Sequence, residues 1–122
     1  MKIILANGTE LNPILVKGAH TYAQGAKRDK LSFIFPGTES MSALDEAFTE
    51  NACESIRIMG DDGSESIYKG YTIRAEIKKS KIVIKPATAE SNAVLEDRIT
   101  VAMAQRTYME TRMAELSARI GV

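Results

Sequence analysis

The sequence is poor in the residues that most often carry catalytic or metal chemistry, with one cysteine, one histidine and no tryptophan in 122 residues. A single cysteine, Cys53, excludes an intramolecular disulfide. Cys53 and His20 together fall short of the three or four nitrogen and sulfur ligands of a zinc site. The apolar run at residues 3–5 is shorter than the roughly 7–15 residues of a signal-peptide core, and none approaches the roughly 18 that span a membrane. We therefore expect no metal, no cofactor, no membrane contact and no secretion by a signal peptide.

Neither sign of charge is in excess, because sixteen lysines and arginines balance sixteen aspartates and glutamates. A neutral chain has no general attraction for nucleic acid or for anionic membranes, and its weak electrostatic repulsion favours self-association. The hydrophobic fraction of 44% and the charged fraction of 26% are those of an ordinary globular protein. The length predicts one domain over residues 1–122.

Hydrophobic periodicity predicts an α+β fold: a mostly antiparallel sheet of about six or seven strands with one short inserted helix and one C-terminal helix. Asn7-Gly8 predicts a hairpin turn, and residues 60–63 predict another. Residues 17–30 are polar and predict a loop or an irregular edge strand around 20–23. The predicted strands are 2–5, 11–16, 31–35, 56–59, 67–78, 82–85 and 94–104, and the predicted helices are 40–52 and about 105–120.

Few residues could perform catalysis. His20 would need a nucleophile or a carboxylate within hydrogen-bond reach, and a single histidine in a loop is usually solvated. Cys53 follows a predicted helix with no basic residue nearby in the sequence, which favours a small apolar packing residue over a reactive thiol. The acids at 61, 62 and 65 break the alternate spacing of a calcium loop. The sequence therefore predicts a protein that is not an enzyme.

The charges are distributed in blocks. Residues 39–65 carry eight acids against Arg57 alone, and residues 69–85 carry six bases against Glu76 alone. A basic hairpin at 69–85, with Tyr68 and Tyr71 for base stacking, would suit nucleic acid. The alternatives are a solvated sheet face and pairing of the two blocks, within one chain or between subunits. The candidate basic residues are Lys69, Arg74, Lys78, Lys79, Lys81 and Lys85.

The last part of the chain changes its hydrophobic period from two at residues 99–104 to that of a helix. An apolar seam then follows, with spacings of four, three and four, too short for an independent coiled coil. The seam either packs on its own domain or contacts a partner, and two methionines suit an adaptable contact. The seam residues are Met109, Met113, Leu116 and Ile120.

Four segments carry a family resemblance: residues 24–35, a helix ending in Phe48, residues 68–72 and residues 97–105. Over residues 20–110 the chain resembles small proteins encoded among the tail and baseplate genes of phages and prophages of Gram-positive bacteria. This resemblance implies a multimeric, non-catalytic protein that is assembled into a virion or remains in the host cytoplasm, where its partner is itself or another phage structural protein. It brings no active-site residues.

These observations predict a non-enzymatic structural or assembly protein that self-associates, in a phage tail or baseplate context. The alternative is a nucleic-acid-binding module that uses the basic hairpin 69–85.

Overall fold

The computed structural model describes residues 1–23 and 25–119 of the chain. Its fold is α+β, with eight strands in the described residues rather than the six or seven predicted. The strands are β1 (Lys2–Leu5), β2 (Glu10–Leu11), β3 (Leu15–Ala23), β4 (Ala26–Pro36), β5 (Ser55–Met59), β6 (Glu65–Lys69), β7 (Ile73–Lys85) and β8 (Val94–Ala104). The helices are α1 (Met41–Ala47) and α2 (Tyr108–Arg119), and a 3-10 turn spans Ala52–Glu54.

The strands form two antiparallel sheets instead of the single sheet predicted. Sheet A has the order β2-β1-β5-β6 and sheet B the order β3-β4-β8-β7. Between them lies a core to which alternate residues of each strand contribute, as expected for sheets with one buried face. Phe48, just after α1, packs against Phe33 and Phe35, with ring centroids 5.2 and 6.0 Å away. The largest fully buried side chains are Phe33, Phe35, Ile3, Ile56, Ile99, Met103, Val101 and Cys53.

Of the two alternatives for residues 17–30, the loop is wrong and the edge strand at 20–23 is confirmed, because β3 lies at the edge of sheet B and forms a continuous hairpin with β4. Their pairing runs from Leu15 with Ile34 to Ala23 with Ala26. The turn end of this hairpin, before Lys30 in β4, extends past the end of β8, so it shows no apolar alternation. One of its faces holds polar side chains and exposed Tyr22, and the other holds Arg28. Backbone hydrogen bonds, which leave no signature in side-chain polarity, define these strands.

The predicted hairpin at 69–85 is also wrong. Gly70 adopts a φ of 79°, a conformation that favours glycine, and the chain there passes from β6 in sheet A to β7 in sheet B. β7 then continues through the expected turn at 79–81 and pairs with β8 as far as Lys85. Because β4 pairs with β8 only from Arg98 onward, the end of the β7–β8 hairpin projects beyond sheet B as a two-stranded arm.

Helix α1 is shorter than the predicted 40–52. The Ser40 side chain caps it by accepting a hydrogen bond from the Ala43 amide at 3.2 Å. Upstream of α1, the amide of Gly37 donates to the Asp97 carbonyl at 2.9 Å, which ties the β4–α1 connection to β8. The turns predicted at Asn7-Gly8 and at 60–63 are confirmed, with Gly8 and Gly63 at positive φ. No helix in the described ranges has the length and apolar character needed to cross a membrane.

Candidate functional site

Helix α2 begins at a capping box that separates it from β8. Residues 105–107 are not helical, so the helix starts later than the predicted 105. The Thr107 amide donates to Glu110 Oε1 at 2.9 Å, and the Glu110 amide donates to Thr107 Oγ1 at 3.3 Å. These reciprocal bonds satisfy two amides at the start of the helix.

An ion pair between buried Arg28 and partly exposed Glu110 anchors the first turn of α2 to β4. The Arg28 side chain is 1% exposed, and its guanidinium forms a two-point contact with the Glu110 carboxylate. Arg28 Nη1 also donates to the Gln105 carbonyl at 3.2 Å. The hydrogen bonds from Arg28 and from the Thr107 amide lower the pKa of Glu110 from 4.5 to about 2. At neutral pH this carboxylate is ionised and fixes the direction in which α2 leaves the domain.

The apolar seam of α2 is uncovered beyond this anchor. Met109 is 66% exposed, Met113 is 61% exposed and Leu116 is 45% exposed. Their spacing places them on one face of the helix. None of the three packs into the core of its own domain, and contact with another chain stays a prediction. The fourth predicted seam residue, Ile120, lies outside the described residues.

The predicted basic residues do not share one surface. Lys69 lies in β6 of sheet A, and the other five lie in β7 of sheet B. Arg74 binds helix α1 instead: it contacts Asp45 Oδ1 at 2.5 Å and donates to the Phe48 carbonyl at 2.8 Å. Lys78 lies 3.0 Å from Glu76 Oε1. The expectation of one basic hairpin is therefore wrong, because Arg74 and Lys78 pair with acids and Lys69 lies in the other sheet.

The remaining lysines lie near the β7–β8 arm. Lys79, Lys81 and Lys85 make no ion pair within the described part of the chain. Lys79 pairs in register with Ile99 on the buried face of β8, whereas Lys78 pairs with Thr100 on the other face. Lys79 and Lys81, two residues apart with no register shift between them, therefore share one face of the ribbon, and a register shift separates them from Lys85. The arm also carries large apolar side chains that are 40–56% exposed, namely Ile82, Val83, Val94 and Leu95.

A cleft of about 500 Å³ opens between the edges of the two sheets. His20 and Asp29 face each other across the β3–β4 hairpin, with Nδ1 and Oδ1 2.8 Å apart. Tyr68 and Tyr71 pack edge to face, with ring centroids 5.9 Å apart. The cleft is lined by Met1, Val16, Gly18, Ala19, His20, Asp29, Lys30, Leu31, Ile58, Tyr68 and Tyr71.

Tyr71 lines the cleft as a largely buried phenol. Burial raises the pKa of Tyr71, and the nearby charge of Asp29 raises it further, so its phenol stays protonated. The two tyrosine rings pack edge to face on each other, and Tyr71 is 7% exposed, so they are poorly placed to receive a nucleic-acid base. Cys53 lies in the core, where burial raises its pKa to about 11. Over residues 1–23 and 25–119, no group of three histidine, cysteine or acidic side chains could hold a metal ion.

The acidic and basic blocks contact each other through one ion pair within the chain, and another acid of the acidic block pairs with an arginine outside the basic block. Asp45 of the acidic block binds Arg74 of the basic block. Glu54, also in the acidic block, binds Arg106, which follows β8.

The start of α2 has a sequence signal that the prediction of a helix from 105 missed: Thr107-x-x-Glu110, a capping-box pattern. Asp29 and Arg28 carried no signal, because their roles depend on β3–β4 pairing.

Comparison with protein-family models, with curated proteins and with solved structures finds no match to this chain. Inference about its function starts from the exposed seam of α2, the β7–β8 arm and the cleft.

Proposed function

We propose that this chain is a non-enzymatic assembly protein that self-associates through helix α2. The observation that supports the proposal is the exposure of Met109, Met113 and Leu116 on one face of a helix whose first turn is fixed to the domain. Three neighbouring large apolar side chains on one helix face mark an interaction surface more than scattered exposure does.

The energetics of α2 favour a partner. The helix has 12 residues, and an isolated helix of that length is marginal in water. The ion pair with Arg28 and the Thr107 capping box stabilise its first turn alone. Each seam side chain that becomes fully buried contributes about 1.5–3 kcal/mol. Contact with another chain therefore stabilises the helix at Met113 and Leu116, whose side chains are exposed.

The absence of enzymatic activity belongs to the same proposal. The polar pair His20–Asp29 lies beside two tyrosines, and the side chains that line this cleft include no serine, threonine or cysteine nucleophile. The only cysteine is buried and has a raised pKa, which disfavours the thiolate. The resemblance to tail and baseplate-region proteins supports a virion-associated role, in which the partner is another copy or a second structural protein.

Nucleic-acid binding is the alternative, and the unpaired Lys79, Lys81 and Lys85 favour it. One observation favours assembly over it. The predicted stacking residues, Tyr68 and Tyr71, lie in the cleft and not on the β7–β8 arm. If binding to single-stranded DNA falls steeply as salt is raised, and is lost when the three lysines become alanine, the alternative is correct.

Size-exclusion chromatography with light scattering tests self-association. The wild-type chain is expected to elute with a mass that is a multiple of 13.4 kDa. Met113→Glu and Leu116→Glu are expected to reduce the mass to that of one chain, because a charge at the seam opposes burial.

Thr111→Glu is the matched control, because residue 111 lies on the opposite side of the helix from Met109 and Met113. It adds the same charge and should leave the mass unchanged. A wild-type protein that is monomeric across micromolar concentrations, or association that survives both seam variants, would show the proposal to be wrong.

A further inference from the structure

We propose that strand β3 is a second self-association surface, on which β3 of another copy pairs antiparallel about a two-fold axis. The B sheets of the two copies then join into one continuous sheet. This contact goes beyond the proposed function, because it uses the edge of a sheet and not helix α2.

The outer edge of β3 is open. Sheet B ends at β3, which pairs along its whole length with β4. Outside the strand ladders, no backbone hydrogen bond among the described residues involves residues 15–23. Every second residue of such a strand directs its N–H and C=O groups away from the sheet. Val16, Gly18, Ala19 and His20 line the cleft, so sheet A stands clear of this edge and leaves room for another strand.

The two ends of sheet B differ in how they are protected against pairing. Proteins block exposed edges with lysines, prolines and bulges. At the other end of the sheet, β7 has four lysines and two register shifts. In contrast, β3 keeps a regular register, has no proline and carries one lysine, Lys17. The edge strands of sheet A have only two and five residues, against nine in β3. The long edge open to pairing is therefore β3.

The sequence of β3 is self-complementary when the two-fold axis passes through Ala19. Lys17 of each copy then lies opposite Thr21 of the other, and Gly18 lies opposite His20. No like charges face each other directly, an arrangement that would be destabilising. A Cβ added at Gly18 meets no atom within 4 Å, so the opposing imidazole has room. An axis through Lys17 would instead place two lysines opposite each other.

The same register covers an exposed tyrosine. Tyr22 is 80% exposed, and its cross-strand neighbour in β4 is Lys27. Val16 pairs with buried Phe33, and it lies on the same face of β3 as Tyr22 because six residues separate them. A two-fold axis normal to the sheet keeps this face common to both copies. Tyr22 of each copy therefore lies opposite Val16 of the other, and such pairs of an aromatic and a β-branched side chain stabilise sheets.

The β3 contact is expected to be weak by itself, because one pair of strands is marginally stable in water. It is isologous, so it closes after two copies. Copies that the α2 contact holds together present their β3 edges to each other at a raised effective concentration. Variants that block the α2 seam are therefore still expected to be single chains at micromolar concentration, and the β3 contact has to be trapped to be seen.

Disulfide trapping tests the register directly. Ala19→Cys places two thiols at the axis, where opposite Cα atoms lie about 4.5–5.5 Å apart, within the roughly 4.4–6.8 Å that a disulfide spans. Cys53 is buried and has a raised pKa, so it does not compete. Lys17→Cys is the matched control on the same face of β3, because its two thiols lie four residues apart along the strands, about 13 Å.

Under mild oxidation at high protein concentration, Ala19→Cys is expected to form a disulfide-linked dimer several-fold faster than Lys17→Cys. An equimolar mixture of Lys17→Cys and Thr21→Cys should form mainly the mixed disulfide, which mass spectrometry identifies. Equal rates for Ala19→Cys and Lys17→Cys, or a mixture without preference for the mixed product, would show that the inference is wrong.

The background variant Met113→Glu separates this inference from the proposed function, because it blocks the α2 seam and leaves β3 intact. Selective trapping at residue 19 is expected to persist there. A wild-type chain that is monomeric while Ala19→Cys is trapped selectively would overturn the proposed function and support the β3 contact. Association of the wild type without selective trapping would do the reverse.

Tyr22 provides a second test that leaves residue 19 in place. In the Ala19→Cys variant, Tyr22→Lys is expected to slow trapping several-fold, because lysine replaces the aromatic contact with a charge. Tyr22→Phe keeps the ring and should be trapped like its parent. Equal trapping of the two variants would contradict the pairing of Tyr22 with Val16 and the register built on it.

Discussion

Arg28 of β4 and Glu110 of α2 lie 82 residues apart in the chain and form a two-point ion pair, with Arg28 Nη2 3.1 Å from Glu110 Oε2. The guanidinium is almost completely buried, whereas the carboxylate remains partly exposed. A buried cation needs a compensating charge and hydrogen-bond acceptors, and Glu110 and the Gln105 carbonyl provide them. The position of α2 therefore depends on the ionisation of one glutamate.

The stability of the protein should depend on Glu110 at acidic pH. Its pKa in the folded state is about 2, against an ordinary value of 4.5. A depressed folded pKa gives a stabilisation that is complete above the unfolded value and is lost as pH falls toward the folded value. The difference in melting temperature between wild type and Glu110→Gln should be constant above about pH 5.5 and shrink between about pH 4.5 and 2.

Circular dichroism melts across this pH range measure the difference. Glu46→Gln removes an exposed carboxylate on α1 that makes no described ion pair, and it is the matched control. A difference that remains constant to the lowest pH would show that Glu110 contributes nothing through its charge.

Arg74 should stabilise the fold through geometry more than through charge. Its guanidinium donates to the carbonyls of Asp45 and Phe48 at the end of α1, at 3.1 and 2.8 Å. Lysine keeps the charge but lacks the planar fork, so Arg74→Lys is expected to lower the free energy of unfolding by about 1–3 kcal/mol. Urea denaturation measures the loss, with Lys79→Arg as the control. An Arg74→Lys variant as stable as wild type would contradict this role.

Gly37 should be required by the close approach of β8. A Cβ added at Gly37 would lie 2.5 Å from the Asp97 carbonyl oxygen, so Gly37→Ala forces a backbone shift with an expected cost of about 1–3 kcal/mol. Gly18→Ala is the comparison, because its Cβ meets open space, and it should be neutral or stabilising by up to about 1 kcal/mol. Equal stabilities of the two variants by thermal unfolding would exclude the steric explanation.

The fold class could be predicted where burial is one-sided. Phe33 and Phe35 in β4, and Val101 and Met103 in β8, face the core at alternate positions, so their strands are visible as a period of two. The β3–β4 hairpin could not be found this way, because it extends past β8 and is polar where it does so. The division into two sheets depends on the backbone at Gly70, whose φ no hydrophobic pattern reports.

The candidate site was predictable only in part. Met109, Met113 and Leu116 were found from spacing alone, since a helix face follows from local periodicity. Whether that face is covered depends on where α2 leaves the domain, and the ion pair of Glu110 with Arg28 in β4 fixes that position. The cleft could not be predicted because Ile58 and His20 come from different sheets.

The pairing of β4 with β8 has a consequence for the order of events during synthesis. Phe33 pairs with Val101, so a growing chain that already contains β4 cannot complete sheet B until β8 has been made. Such distant pairings form late in folding. Arg28 therefore meets Glu110 only after nearly all the domain has emerged, and a truncated or stalled chain has no anchored α2 to present. If the proposed self-association through α2 is correct, only copies that have completed sheet B can take part in it.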